Sequence, residues 1–179
     1  MNIRSFRNKT PRLGARVWVD PGAIIIGDAQ LGDDSSVWPG AVIRADMHFI
    51  EIGARVSVQD NAVLHITHDS RFNPGGFALT IGDDVTIAHQ ATLHGCHIGD
   101  RVMIGMQAII MDGASIGDDS IVAAGSLVPP GKKLEGGHLY RGKPAKAVRP
   151  LNDEEREFVP YVAGNYVRLK DEYLAETSK

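Results

Sequence analysis

Cysteine is nearly absent. The single Cys96 among 179 residues excludes an internal disulfide and suits a reducing compartment. No Lys/Arg run exceeds the pair Lys132-Lys133, and a formal charge of −3 gives no electrostatic footprint for nucleic acid. No uncharged apolar run approaches the roughly 20 residues of a membrane span, and Met1 to Arg7 lacks the apolar centre of a signal peptide. A cytoplasmic protein without nucleic-acid or membrane partners is therefore expected. Aromatics are scarce at 6%, whereas glycine is plentiful at 20 residues, a balance that suits tight turns around narrow interior layers.

What the chain does have is a six-residue repeat. Aliphatic residues recur at Val19, Ile25, Leu31, Val37 and Ile43; at Ile52, Val58 and Leu64; at Ile81, Ile87 and Leu93; and at every sixth residue from Ile98 to Val128. A small or β-branched residue follows four positions after most of them, as at Ala23, Ala29, Ala41, Ala62 and Ala91. A period of six fits neither an α-helix nor a heptad. It fits short strands separated by bends, with one aliphatic per face directed inward and a small residue at each crowded corner. The sequence predicts an all-β parallel β-helix of hexapeptide repeats over 19–134, preceded by an N-terminal lead-in over 1–18.

The breaks in the period are informative. The spacing is nine from Ile43 to Ile52, seventeen from Leu64 to Ile81 and five from Leu93 to Ile98. Residues 67–80, with Asn73-Pro74-Gly75-Gly76, read as a loop extruded from a corner. A connecting segment is expected over 135–151. Beyond it, Asn152 with Glu155 forms a capping-box pattern, and Phe158, Val162, Tyr166, Leu169 and Tyr173 mark an amphipathic helix over 152–176, with a kink expected at Pro160.

The repeat also organises the histidines. Leu64 and Leu93 are each third in their triplet of hexads, so His65 and His94 stand directly after inward residues on stacked faces, one strand spacing of about 4.8 Å apart. Two imidazoles so placed can bind one metal, and zinc needs three or four ligands. His89, on the preceding face, is the candidate third. Spacing leaves open whether it reaches the same ion from its own chain or from a neighbour.

At these residues the sequence resembles the gamma-class carbonic anhydrases. The resemblance rests on Arg44-Ala45-Asp46, Val58-Gln59-Asp60, Leu64-His65, Ala88-His89-Gln90 through Leu93-His94-Gly95, Ile104-Gly105-Met106-Gln107-Ala108 and Gly142-Lys143-Pro144-Ala145. It implies a left-handed coil and a homotrimer with inter-subunit metal sites. His65, His89 and His94 are then zinc ligands, with Fe2+ or Co2+ as possible replacements, and His89 comes from a different chain than the other two. It implies an interface network of Arg44, Asp46 and Asp60, and a water-orienting role for Gln59. The reaction implied is reversible hydration of CO2 to bicarbonate, in which the metal lowers the pKa of a bound water to about 7 and supplies hydroxide as nucleophile.

The sequence departs from that family at the proton shuttle. Met47 stands where a glutamate is expected, and His68 occupies the place of a second acidic residue, so activity is expected to be low unless His68 substitutes as shuttle. Tyr140 is a second candidate near the site, against the simpler reading that it packs on the coil. Two other function classes stay open: a hexapeptide acyltransferase or CoA-thioester hydrolase with one histidine as general base, and a metal-binding trimeric scaffold with little turnover.

Overall fold

The computed structural model describes residues 2–177 as a parallel β-solenoid closed by one C-terminal helix. The hexads become its rungs. On the first face Val19, Val37, Val58, Ile87, Ile104 and Val122 lie in register; on the second, Ile25, Ile43, Leu64, Leu93, Ile110 and Val128; on the third, Leu31, Ile52, Ile81, Ile98, Ile116 and Leu134. Every one of these side chains is buried. The alanines four positions on fill the corners, where Ala23, Ala29, Ala41, Ala62 and Ala91 have no exposed surface. Each strand is short because the chain must turn after one inward residue. The longer Ile24–Leu31 and Val42–Ile52 run across a corner and serve two faces.

The loop after Leu64 is pinned by antiparallel bridges Thr67↔Phe77 and Ser70↔Asn73, and it ends before Leu79–Ile81, so Leu79 and Thr80 belong to the coil and not to the loop. The lead-in is likewise part of the solenoid: Asn2–Arg4 pairs with the Ile24 strand, as does Arg12–Leu13. Leu13, six residues before Val19, continues the period, whereas Ile3 lies ten residues before Leu13 and so falls outside it. Met1 lies outside the described residues. The segment after Leu134 is no plain connection either. His138–Gly142 adds a further rung to the first face, with Tyr140 in the inward position opposite Val122, and Ala145–Pro150 folds back on it antiparallel.

The helix spans Asp153–Thr177 without interruption at Pro160, whose ring lies on the exposed side. Its start is the capping box: the Glu155 amide donates to Asn152 Oδ1 at 2.8 Å and the Asn152 amide donates to Glu155 Oε2 at 3.1 Å. The helix covers the early rungs of the first face. There Trp18 and Trp38 (centroids 4.7 Å apart) pack against Tyr166 and Tyr173.

One corner carries a charge ladder. Arg16, Asp34, Arg55, Asp84, Arg101 and Asp119 occupy the same left-handed turn position on successive coils, with φ between 53° and 60°. Their signs alternate, so Arg16 pairs with Asp34, Arg55 with Asp84 at 2.6 Å and Arg101 with Asp119 at 2.7 Å. Asp34 also accepts at 3.0 Å from Lys170, whose side chain is wholly buried under the helix. Arg16 first and Lys170 after it, against the opposing effect of burial, hold the Asp34 carboxyl down from 3.8 to about 2. A carboxyl whose folded value is depressed stabilises the fold fully above its unfolded value and loses that contribution as pH falls toward its folded value. Stability is therefore expected to drop between pH of about 4 and 2. Denaturant midpoints measured across that range should slope less steeply in Asp34→Asn than in the parent chain.

Candidate metal centre

Register brings His65 and His94 together. Leu93 pairs with Leu64, and His94 stacks directly on His65. Their rings face each other with His65 Nδ1 3.0 Å from His94 Nε2. The far nitrogen of each ring is held by a carboxylate: His65 Nε2 donates to Asp46 Oδ1 at 3.2 Å, and His94 Nδ1 donates to Asp112 Oδ1 at 2.9 Å. With both far nitrogens carrying hydrogen, the two facing nitrogens each present a lone pair. Two such lone pairs repel unless a proton or a cation lies between them. A metal bound to both at 2.0–2.1 Å with a tetrahedral angle needs the nitrogens roughly 3.3 Å apart, close to the spacing present. Carboxylates on the outer nitrogens are the usual support of metal-ligating histidines. The residues fit a divalent ion with nitrogen ligands.

Electrostatics favour the neutral ligand form. Burial lowers the affinity of His65 for a proton below the ordinary 6.5, outweighing the opposing pull of Asp46. Burial also opposes ionisation of Asp46, but hydrogen bonds from Arg44, at 2.6 Å, and from His65 prevail and keep its carboxyl below the usual range. Asp112 accepts a second bond from Thr67 Oγ1 at 2.8 Å, which ties the extruded loop to the site. Asp112 and Thr67 are additions that the hexads alone do not flag. The coil is seventeen residues long here, with Leu93 paired to Ile110, so Asp112 stands one position past the place above His94 and reaches back to it.

His89 is elsewhere. It occupies the bend that opens the second face, whereas His94 closes that face at the far end of the strand Thr92–His94. The two cannot share an ion within one chain. Among the described residues no three His, Cys, Asp or Glu groups converge on a metal position. Instead, the second face has a half-site at each of its two long edges. One edge holds Arg44, Asp46, His65, His94 and Asp112. The other holds Asp60, whose Oδ2 accepts from His89 Nδ1 at 2.8 Å, with Gln59 buried beside it and hydrogen-bonded to Tyr166 of the helix.

Among the described residues, the remaining candidates make no hydrogen bond or ring contact with the two facing rings. His68 is exposed on the loop. Tyr140 is buried three coils beyond the rung of His94, and its hydroxyl donates to the Glu135 carbonyl at 2.7 Å, so within the chain it is a core residue at the end of the coil. His48 donates to the Gly75 carbonyl across the loop, His97 bonds Thr80 Oγ1, and His138 donates to the Gly136 carbonyl. Cys96 is buried in the core, which raises its pKa and leaves it inert. No helix among the described residues is long and apolar enough to cross a membrane.

Comparison with known proteins agrees with this architecture. Residues 10–45 and 95–130 match the family of bacterial transferase hexapeptide repeats. The chain is 52% identical over 172 residues to Protein YrdA of Escherichia coli, covering 96% of this chain and 94% of that one. It is 38% identical over 174 residues to the mitochondrial Gamma carbonic anhydrase 2 of Arabidopsis thaliana, covering 96% of this chain but 62% of the plant protein's length. A crystal structure of a hexapeptide transferase family protein from Anaplasma phagocytophilum superposes with a TM-score of 0.88 at 34% identity, covering 96% of this chain and 97% of that one. The chain belongs to the hexapeptide-repeat family and is a relative of the gamma-class carbonic anhydrases.

Proposed function

We propose that the protein is a metal-dependent carbonic anhydrase that converts CO2 and water reversibly to bicarbonate, working as a homotrimer. The observation that carries this reading is the facing pair of His65 and His94 nitrogens, 3.0 Å apart and each backed by its own carboxylate. Both half-sites lie on the same two coils, at the same height and on opposite edges of one face. Copies related by a closing rotation can therefore bring the His65–His94 edge of one against the His89 edge of the next, completing three-histidine sites at every boundary. The exposed row on the face between the edges is partly apolar, with Val63 and Ile109 about 40% exposed, as expected of a surface that a neighbour covers.

A bound Zn2+, or Fe2+ or Co2+ in the same ligand set, supplies Lewis acidity that brings a water molecule's pKa into the physiological range. The chain's own part is to hold that ion with neutral imidazoles, kept in one tautomer by Asp46, Asp112 and Asp60. In this reading Arg44 anchors Asp46 at the boundary, and the Gln59 amide orients the water. His68, exposed on the loop, is free to carry protons to solvent. The names of hexapeptide transferase relatives keep acyl transfer as the second reading, in which a single histidine acts as base.

Metal analysis of the purified trimer tests this first. About one metal per chain is expected, since each boundary holds one site. Stopped-flow CO2 hydration should rise above buffer with the metal in place and fall on chelation. A trimer loaded with metal yet no faster than buffer would remove the enzymatic reading and leave a scaffold; a metal-free trimer that transfers acyl groups would favour the second.

A further inference from the structure

Far from the histidine pair, at the C-terminal end of the coil, a cleft of about 310 Å3 opens between the terminal strand Lys133–Leu134 and the hairpin that closes the solenoid. Lys132, Lys133, Lys146 and His138 line it together with the one carboxylate of Glu135, over a floor that includes buried Leu134 and Tyr140. The surrounding segment, residues 132 to 149, carries six Lys and Arg against the single Glu135, in a chain whose total charge is −3. Elsewhere the protein matches many of its cations to carboxylates, coil by coil along the corner ladder. Here Arg149 alone is paired, with Glu155. Lys132, Lys133, Arg141, Lys143 and Lys146 have no ion-pair partner among the described residues.

Unpaired like charges around one concavity repel each other, and an anion placed between them relieves that repulsion. We propose that the cleft binds a small, multiply charged anion of the pyrophosphate or phosphate-ester class, gripped by Lys132, Lys133 and Lys146. A concave floor suits a compact ligand better than a flat membrane surface. The absence of an exposed aromatic in the lining gives no platform for stacking bases. Protection of an open sheet edge accounts for Lys133, which stands on the terminal strand, but not for Lys132 in the turn before it or Lys146 on the closing hairpin. The cleft lies two to three coils from the rung of His94, roughly 10–14 Å along the axis at one strand spacing per coil, so binding here is separate from the proposed metal centre.

Calorimetric titration with inorganic pyrophosphate at physiological salt tests this, using the parent protein, a Lys132→Ala/Lys133→Ala/Lys146→Ala triple variant and His94→Ala. Saturable binding is expected in the parent, at least tenfold weaker in the triple variant and unchanged in His94→Ala. All three substituted lysines are exposed, so the variant's circular dichroism should match the parent's. The proposal is overturned if pyrophosphate does not saturate the parent, if the triple variant binds as well as the parent, or if binding disappears with His94. Capture by phosphatidylserine vesicles without pyrophosphate binding would overturn it in favour of a membrane contact.

Discussion

His94→Ala is expected to lose its metal and to lower CO2 hydration by at least about a thousandfold, the equivalent of roughly 4 kcal/mol of transition-state stabilisation. The substitution leaves one ligand on that edge of the face, and one imidazole plus His89 from a neighbour does not hold zinc against the three-ligand minimum of a catalytic site. The fold should survive, because the inward residue of this rung is Leu93 and the His94 ring is about a third exposed. Asp112→Asn gives the graded control. It leaves both ring nitrogens in place but weakens the support of His94, and supporting partners of this kind contribute about 10–100-fold to metal affinity. Metal content after dialysis and stopped-flow rates should therefore rank parent above Asp112→Asn above His94→Ala. Full metal content in His94→Ala would place the ion somewhere other than this pair.

The largest effect on stability is expected from Asp34→Ala. Lys170 is wholly buried beneath the helix and finds its charge partners in Asp34 and the adjacent Asp171. Removing Asp34 strips Lys170 of its cross-element partner and Arg16 of the carboxylate it hydrogen-bonds on the neighbouring coil. Breaking one side of a buried pair costs about 3–5 kcal/mol, and the remaining Asp171 points to the lower end of that range. For a chain of this size, about 3 kcal/mol lowers the thermal midpoint by roughly 6–12 °C, measured at fixed protein concentration. Lys170→Met, which removes the buried charge and keeps the length of the side chain, should cost far less, because apolar replacement of a buried ion is often neutral. If both substitutions destabilise equally, packing of the helix and not the charge pair holds this corner together.

Much of the coil could be read from residue spacing because a β-solenoid repeats one local environment. Each rung needs one aliphatic inward and one small residue at the corner, so the sequence states the register directly, and Ile52, Val58 and Leu64 predict the stacking of Ile81, Ile87 and Leu93. That same register placed His65 under His94. The parts that escaped are those without a repeat to read. Ile3 stands ten residues before Leu13 and so off the six-residue count, and Tyr140 fills an aliphatic slot with an aromatic ring, so the last rung read as a connection.

The sequence by itself determined the fold, the stacked histidines and the capped helix, since these follow from local periods and short-range hydrogen bonds. Tertiary structure decided what those histidines can do. It put carboxylates Asp46 and Asp112 behind the two rings, moved His89 to the opposite edge of the face, and set Lys170 against Asp34, which lies 136 residues away in the chain. None of these is fixed by sequence neighbours, because side chains from different coils meet only once the strand pairing and the corner bends set their direction and separation.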